Sequence, residues 1–195
     1  MKTLLIGDVH GWWENYKKII ASTDLPTIQV GDFGIGFPRW SFEQFPDKDK
    51  FIRGNHDNPS CCWPHPNYMG DLGYRDGVYW YGGAFSVDQG HRTPYLTWWP
   101  EEELNLVQQI QAFNIYEHTR PRTVISHCCP RSIQNEIFDF KNVFDNKTIR
   151  FFDDLWDHHK PELWVFGHYH RSVDRVIDGC RFVCLNELET KVLDI

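Results

Sequence analysis

The chain of 195 residues is 41% hydrophobic and 16% aromatic, enough to bury one substantial core, and that length suits a single domain spanning residues 1–195. It carries 20 lysines and arginines against 27 aspartates and glutamates, a net charge of -7, and scatters its basic residues, which argues against stable binding to a nucleic-acid duplex. The opening apolar run stops at Asp8, short of the ~7 to 15 residues of an export signal, and nothing approaches the ~18 apolar residues of a membrane span; with six cysteines in no zinc-type spacing, a soluble cytoplasmic protein with reduced thiols is expected.

Thr3 to Ile6 is β-rich and runs into Gly7-Asp8, with His10 two residues on. Trp12, Trp13, Tyr16, Ile19 and Ile20 then fall near helical spacing, and Asp24-Leu25-Pro26 closes that helix. Thr27 to Val30 reads as a second strand, ending at Gly31-Asp32. The stretch from Phe37 to Asp49 reads as a loop, Phe51-Ile52 as a strand entering Arg53-Gly54-Asn55-His56-Asp57, and Asn58 to Asp71 as another loop. Val78 to Val87, interrupted by Gly82-Gly83, predicts two strands or one bulged strand. Pro100 followed by Glu101, Glu102 and Glu103 predicts a helix start, because proline suits a first turn and carboxylates favour the amino end of the dipole; Leu104, Val107 and Ile110 would continue it. Thr123 to Ser126 is a strand before His127, and a helix is expected from about Asn146 to His159 with Ile149, Phe152, Leu155 and Trp156 on one face. Leu163 to Phe166 runs into Gly167-His168-Tyr169-His170, and Asp178-Gly179 predicts a hairpin between Val173 to Ile177 and Arg181 to Leu185.

Five strands thus end in a potential metal ligand, and α/β sheets bind ligands beyond the carboxyl ends of their strands. Residues i and i+2 of an extended segment point the same way, so Asp8 with His10, and His168 with His170, can face one site. Imidazole, carboxylate and amide oxygen without thiolate suit manganese, iron or zinc better than calcium. Glycines at 7, 31, 54 and 167 are expected to supply tight turns that swing the ligands inward. The motifs Gly7-Asp8-Val9-His10-Gly11, Gly31-Asp32, Gly54-Asn55-His56-Asp57, Ser126-His127 and Gly167-His168-Tyr169-His170 run in order along nearly the whole chain. In them the sequence resembles the calcineurin-like metallophosphoesterase superfamily.

That resemblance implies an α/β fold, a four-layer αββα sandwich of two mixed β-sheets flanked by helices. It implies that Asp8, His10 and His170 hold one divalent ion, Asn55, His127 and His168 a second, and that Asp32 bridges them. Manganese is the first expectation, with iron, zinc or nickel as alternatives. A hydroxide bridging the ions would attack phosphorus, and the residual positive charge would draw in a phosphate ester. His56 would be the general acid, with Asp57 orienting its imidazole and raising its pKa. Asn55, Arg53 and Arg92 are candidate substrate contacts. His65, His91, His118, His158 and His159 lie outside the motifs and are expected in packing or surface roles.

The substrate is expected to be a small phosphate ester, monoester or diester, with nucleotides and cyclic nucleotides among the candidates. A serine/threonine protein phosphatase is the alternative, weakened because Asp32 is followed by Phe33-Gly34-Ile35 where that branch carries an arginine. A non-catalytic metal-binding scaffold is a further alternative, weakened by intact ligand positions and His56. The nuclease branch ranks below these, since the chain is short and acidic.

Overall fold

A computed structural model describes residues 1–37, 44–138 and 144–195. Of the predicted loop from Phe37 to Asp49, residues 38–43 lie outside the described residues. The strands, in chain order, are β1 (Lys2–Ile6), β2 (Thr27–Val30), β3 (Asp49–Ile52), β4 (Leu72–Arg75), β5 (Val78–Tyr81), β6 (Thr123–Ser126), β7 (Leu163–Phe166), β8 (Val173–Ile177), β9 (Cys180–Cys184) and β10 (Thr190–Asp194). The helices are α1 (Trp13–Ala21), α2 (Pro59–Cys62), α3 (Leu106–Thr119), α4 (Arg131–Ile137) and α5 (Lys147–His158). One sheet has the order β10-β1-β2-β3, with β1, β2 and β3 parallel and β10 antiparallel to β1. The other has the order β4-β5-β6-β7-β9-β8, parallel from β5 to β9 with an antiparallel strand at each edge.

Alternation along the strands builds the layers. Successive side chains of a strand face opposite sides, so a strand apolar throughout must be covered on both. Leu5, Val30, Ile52 and Leu193 of the smaller sheet meet Ile125, Val165 and Val183 of the larger in a central layer. Leu4, Ile6 and Phe51 point outward from the smaller sheet onto Tyr16 and Ile20 of α1. Tyr79, Val124, Trp164 and Phe182 point outward from the larger sheet onto Tyr116, Ile133, Phe152 and Leu155 of α3, α4 and α5. The result is the expected αββα sandwich, and among the described residues no helix is long and apolar enough to cross a membrane.

Three expectations need correction. Pro100–Glu102 forms only a 3-10 turn, and α3 starts at Leu106 behind a capping box in which Asn105 Oδ1 accepts from Gln108 N (3.1 Å) and Gln108 Oε1 from Asn105 N (3.0 Å). Its buried face is Ala112 and Tyr116, leaving Val107 and Ile110 exposed. The segment Val78 to Val87 contributes one strand, β5, paired with β4 across Asp76-Gly77, whose φ values of 50° and 90° suit a tight hairpin. Beyond Tyr81 the chain leaves the sheet, because Gly83 N–H bonds to the Arg53 carbonyl (2.7 Å) instead of a strand neighbour. The expected loop after Asn58 contains α2, with Asn58 Oδ1 capping Ser60 N (3.0 Å).

Candidate metal centre

The carboxyl ends of β1, β2 and β3 carry Asp8 and His10, Asp32, and Asn55, while β6 and β7 of the other sheet carry His127, and His168 with His170. The site therefore lies where the strand ends of both sheets meet. The backbone is not extended there. His10, Asp32, His168 and His170 have φ of 47°, 57°, 69° and 49°, the left-handed region that costs a non-glycine residue free energy. Left-handed ligands, rather than extended i and i+2 pairs, aim these side chains. Of the glycines expected to make turns, Gly31 has φ 102°, but Gly54 and Gly167 serve close approach. A Cβ on Gly54 would stand 2.2 Å from Asp32 Oδ1 and 2.6 Å from His127 Nε2, and one on Gly167 would stand 2.1 Å from Asp8 Oδ1.

The donors form two groups that share Asp32. Asp8, His10, Asp32 and His170 make one, and Asp32, His127 and His168 the other, each with its donor atoms within 4.8 Å of one another. In the first, His170 Nε2 lies 3.2 Å from Asp8 Oδ2 and 3.0 Å from His10 Nε2, which is 3.8 Å from Asp32 Oδ2. In the second, Asp32 presents its other oxygen, Oδ1, to His127 Nε2 at 3.2 Å, and the His127 and His168 rings are 5.0 Å apart. Asp8 is further held by the His168 N–H (3.1 Å to Oδ2), and Asp32 by the His56 N–H (2.7 Å to Oδ1).

The sequence matches the calcineurin-like phosphoesterase family model over residues 1–172. The chain belongs to the calcineurin-like phosphoesterase family. It is a metal-dependent phosphoesterase, and the family implies a dinuclear centre of divalent ions. Among solved structures, the phosphopantetheinyl hydrolase PptH from Mycobacterium tuberculosis is 14% identical with a TM-score of 0.48, over 95% of this chain and 89% of that one. No curated protein matches the chain.

The residues of this phosphoesterase fit such a centre. Asn55 Oδ1 and His127 Nε2 are both buried with no hydrogen-bond partner, which a native core tolerates where a ligand supplies one. His127 Nδ1 donates to the Val30 carbonyl (2.9 Å), which leaves the lone pair of Nε2 directed into the site. Burial works against charge on His127, yet Asp32 raises its pKa, and Asp32 itself is held well below the carboxylate range by His127 and the neighbouring imidazoles despite its burial. The pair attracts a proton where it would attract a cation. Burial, reinforced by charge on His127, pushes His168 down to about 3, so it is the neutral imidazole a metal requires.

Around this centre the predicted auxiliary residues divide. His56 is edge-on to His10 at 5.0 Å, stacked on Phe37 at 5.8 Å, and accepts a hydrogen bond at Nε2 from Arg92 Nη2. Arg92 is also paired with Asp88 at 2.8 Å, and through His56 it lies beside the centre. Arg53 does not. It is 1% exposed, its Nε bonds to Asp71 (2.6 Å) and its Nη1 to the Glu102 carbonyl (2.8 Å), so it is a structural strut.

Asp57 is corrected as well. Its carboxylate accepts from the backbone N–H of Phe33, Gly34, Ile35 and Gly54 at 2.7 to 3.1 Å, so it knits two motif loops together instead of orienting His56. Burial and the nearby Asp32 raise its pKa to about 6. The pKa of His56 is lowered, not raised: burial outweighs the opposing effect of Asp32, and Arg92 adds to the lowering.

Three of the five histidines outside the motifs are engaged elsewhere. His65 Nδ1 accepts from Asn67 N (3.2 Å), His118 Nδ1 bonds the Asn114 carbonyl (2.7 Å) and His159 Nε2 the Pro121 carbonyl (3.0 Å). Sequence reading missed Ser86, buried beside Asn55, and Glu102, buried beside Ser86: the first sat in a supposed strand, the second in a supposed helix start.

Proposed function

We propose that this phosphoesterase is a single domain over residues 1–195 that hydrolyses a small phosphate ester, with nucleotides and cyclic nucleotides among the candidate substrates. Asp8, His10 and His170 hold one divalent ion, Asn55, His127 and His168 the other, and Asp32 lies between. Manganese is the first expectation. The observation behind this reading is the division of Asp32, whose Oδ2 faces the His10 group and whose Oδ1 faces His127. When bound, two divalent ions would polarise the phosphoryl oxygens and lower the pKa of a water molecule at the centre.

The chain's own residues do the rest. Arg92, a fixed positive charge on a side chain held by Asp88, is placed to bind an equatorial phosphate oxygen and in doing so releases His56. Once Arg92 has left it, His56 Nε2 takes up a proton; the ester P–O bond breaks as water adds to phosphorus, the departing oxygen takes that proton from the imidazolium, and the proton lost by the water restores it. Phe37 and Trp99, packed edge-to-face at 5.2 Å beside His56, give the leaving group an apolar wall. The free thiols, five of them buried, suit the reducing conditions of a cytoplasm.

The test is initial rates of the Mn²⁺-loaded protein on p-nitrophenyl phosphate and bis-p-nitrophenyl phosphate, with His56→Ala beside it. The variant is expected to retain both ions and lose roughly 10²- to 10⁴-fold in turnover. Near-native turnover at full metal loading would remove His56 from the mechanism, and the preferred ester separates phosphatase from phosphodiesterase. Activity on neither ester, with two ions bound, would favour the scaffold reading.

A further inference from the structure

A carboxamide is nearly symmetric in shape, so nothing steric makes Asn55 present oxygen rather than nitrogen to a cation. The distinction must come from hydrogen bonds. Asn55 Nδ2 donates to Ser86 Oγ (3.2 Å), Ser86 Oγ donates to Glu102 Oε2 (2.5 Å), and Ser86 N donates to Glu102 Oε1 (2.8 Å). All three residues are buried, and the Glu102 main chain is clamped by Arg53 Nη1 (2.8 Å).

We infer that Glu102 and Ser86 are positioning residues that fix which end of the Asn55 carboxamide faces the metal centre. With Glu102 ionised, the form that its two hydrogen bonds from Ser86 favour although burial raises its pKa, the polarity of the relay has one solution. A carboxylate only accepts, so the single hydroxyl proton of Ser86 must go to Glu102. Ser86 Oγ is then left with lone pairs alone toward Asn55, and only the NH₂ end of the amide can satisfy them. Asn55 Oδ1 is thereby turned away from Ser86, and it is the atom left buried without a partner. The same two bonds tie residue 86 to residue 102 and so close the loop that brings Arg92 to His56. The relay thus holds the metal ligand and the base of the substrate-binding loop with one carboxylate.

The inference rests on the proposed role of Asn55 as a ligand, and metal titration separates the two. Calorimetric titration of the metal-free protein with Mn²⁺ should resolve two ions in the wild type and the loss of one in Asn55→Ala. Ser86→Ala, which keeps the main-chain bond to Glu102, should weaken that same ion by about 10- to 100-fold and leave the other unchanged. Glu102→Gln brings a donor to the end of the relay, frees the Ser86 proton to point at Asn55, and should weaken the same ion similarly. Because both act through one amide, the double variant should bind no worse than Ser86→Ala alone.

Native affinity for both ions in Ser86→Ala, where Asn55→Ala loses one, overturns the inference and spares the ligand assignment. Two ions of native affinity in Asn55→Ala overturn both. Equal weakening of both ions in Ser86→Ala, with a lower unfolding midpoint before metal is added, would mean lost packing and likewise overturn it. If Glu102→Gln does not fold, the Ser86→Ala titration decides alone.

Discussion

At the scale of single residues, the centre is defined as much by what holds the ligands as by the ligands. Asp57 illustrates this: four backbone N–H groups converge on its two oxygens. In Asp57→Asn one of those oxygens becomes an amino group facing two N–H donors, here those of Phe33 and Gly54 or those of Gly34 and Ile35. Each stranded buried donor costs about 1 to 3 kcal/mol, so Asp57→Asn should destabilise the protein by about 2 to 6 kcal/mol in urea unfolding. A native midpoint with lost turnover would instead restore the orienting role read from the sequence. Gly54→Ala probes the other kind of support. The added Cβ meets Asp32 Oδ1 at 2.2 Å and Asp32 N at 2.4 Å, and relief requires moving the carboxylate shared by both donor groups. Metal titration should register weaker binding of both ions, and undiminished affinity would mean that the two strand ends can separate freely. The ligand types and their order were legible in the sequence. The left-handed φ of His10, Asp32, His168 and His170 was not, because no local signal marks a strain that only the converged site compensates.

At the scale of elements, the sequence speaks clearly where one signal dominates and misleads where two compete. Asn146 caps α5 through Ile149 N at 3.0 Å, with Ile149, Phe152, Leu155 and Trp156 on the buried face as their spacing implied. Before α3 two start signals stand five residues apart, Pro100 with its glutamates and Asn105 with Gln108. The reciprocal cap at Asn105 sets the helix, while Glu102 is drawn from helical duty by Ser86. Asn105→Ala should therefore cost about 1 kcal/mol, the usual worth of an N-cap, measured as a shift in urea midpoint, whereas Pro100→Ala should cost less than half of that. The reverse order of the two effects would return the helix start to Pro100. The edge strand β10 was missed for another reason: Thr190 to Asp194 is short and half polar, and it is a strand only because β1 offers it an unpaired edge.

At the scale of the whole molecule, the assignment of strands to sheets was beyond the sequence, because five similar apolar runs ending in ligands carry no mark of which runs pair. Register settles it: β1, β2 and β3 pair with one another, and β6 and β7 with each other, so Asp8, Asp32 and Asn55 come from one sheet and His127, His168 and His170 from the other. Each proposed ion would accordingly be held by both layers. On the proposed assignment the first would join Asp8 and His10 to His170, and the second would join Asn55 to His127 and His168; Asp32 of the smaller sheet is common to the two donor groups. Such ions bind the native arrangement and not the unfolded chain, so their free energy of binding adds directly to that of folding. A divalent ion at 100 times its dissociation constant should stabilise the protein by about 2.7 kcal/mol per site, and chelation should remove that contribution. Without metal, His127 and Asp32 still face each other at 3.2 Å and the strained ligand backbones keep their cost, so the midpoint should fall without the fold being lost. Thermal unfolding with excess chelator and with graded Mn²⁺ measures this directly. A midpoint that rises with the logarithm of free metal supports ions shared between the sheets, and one indifferent to metal would mean that the sandwich closes without them.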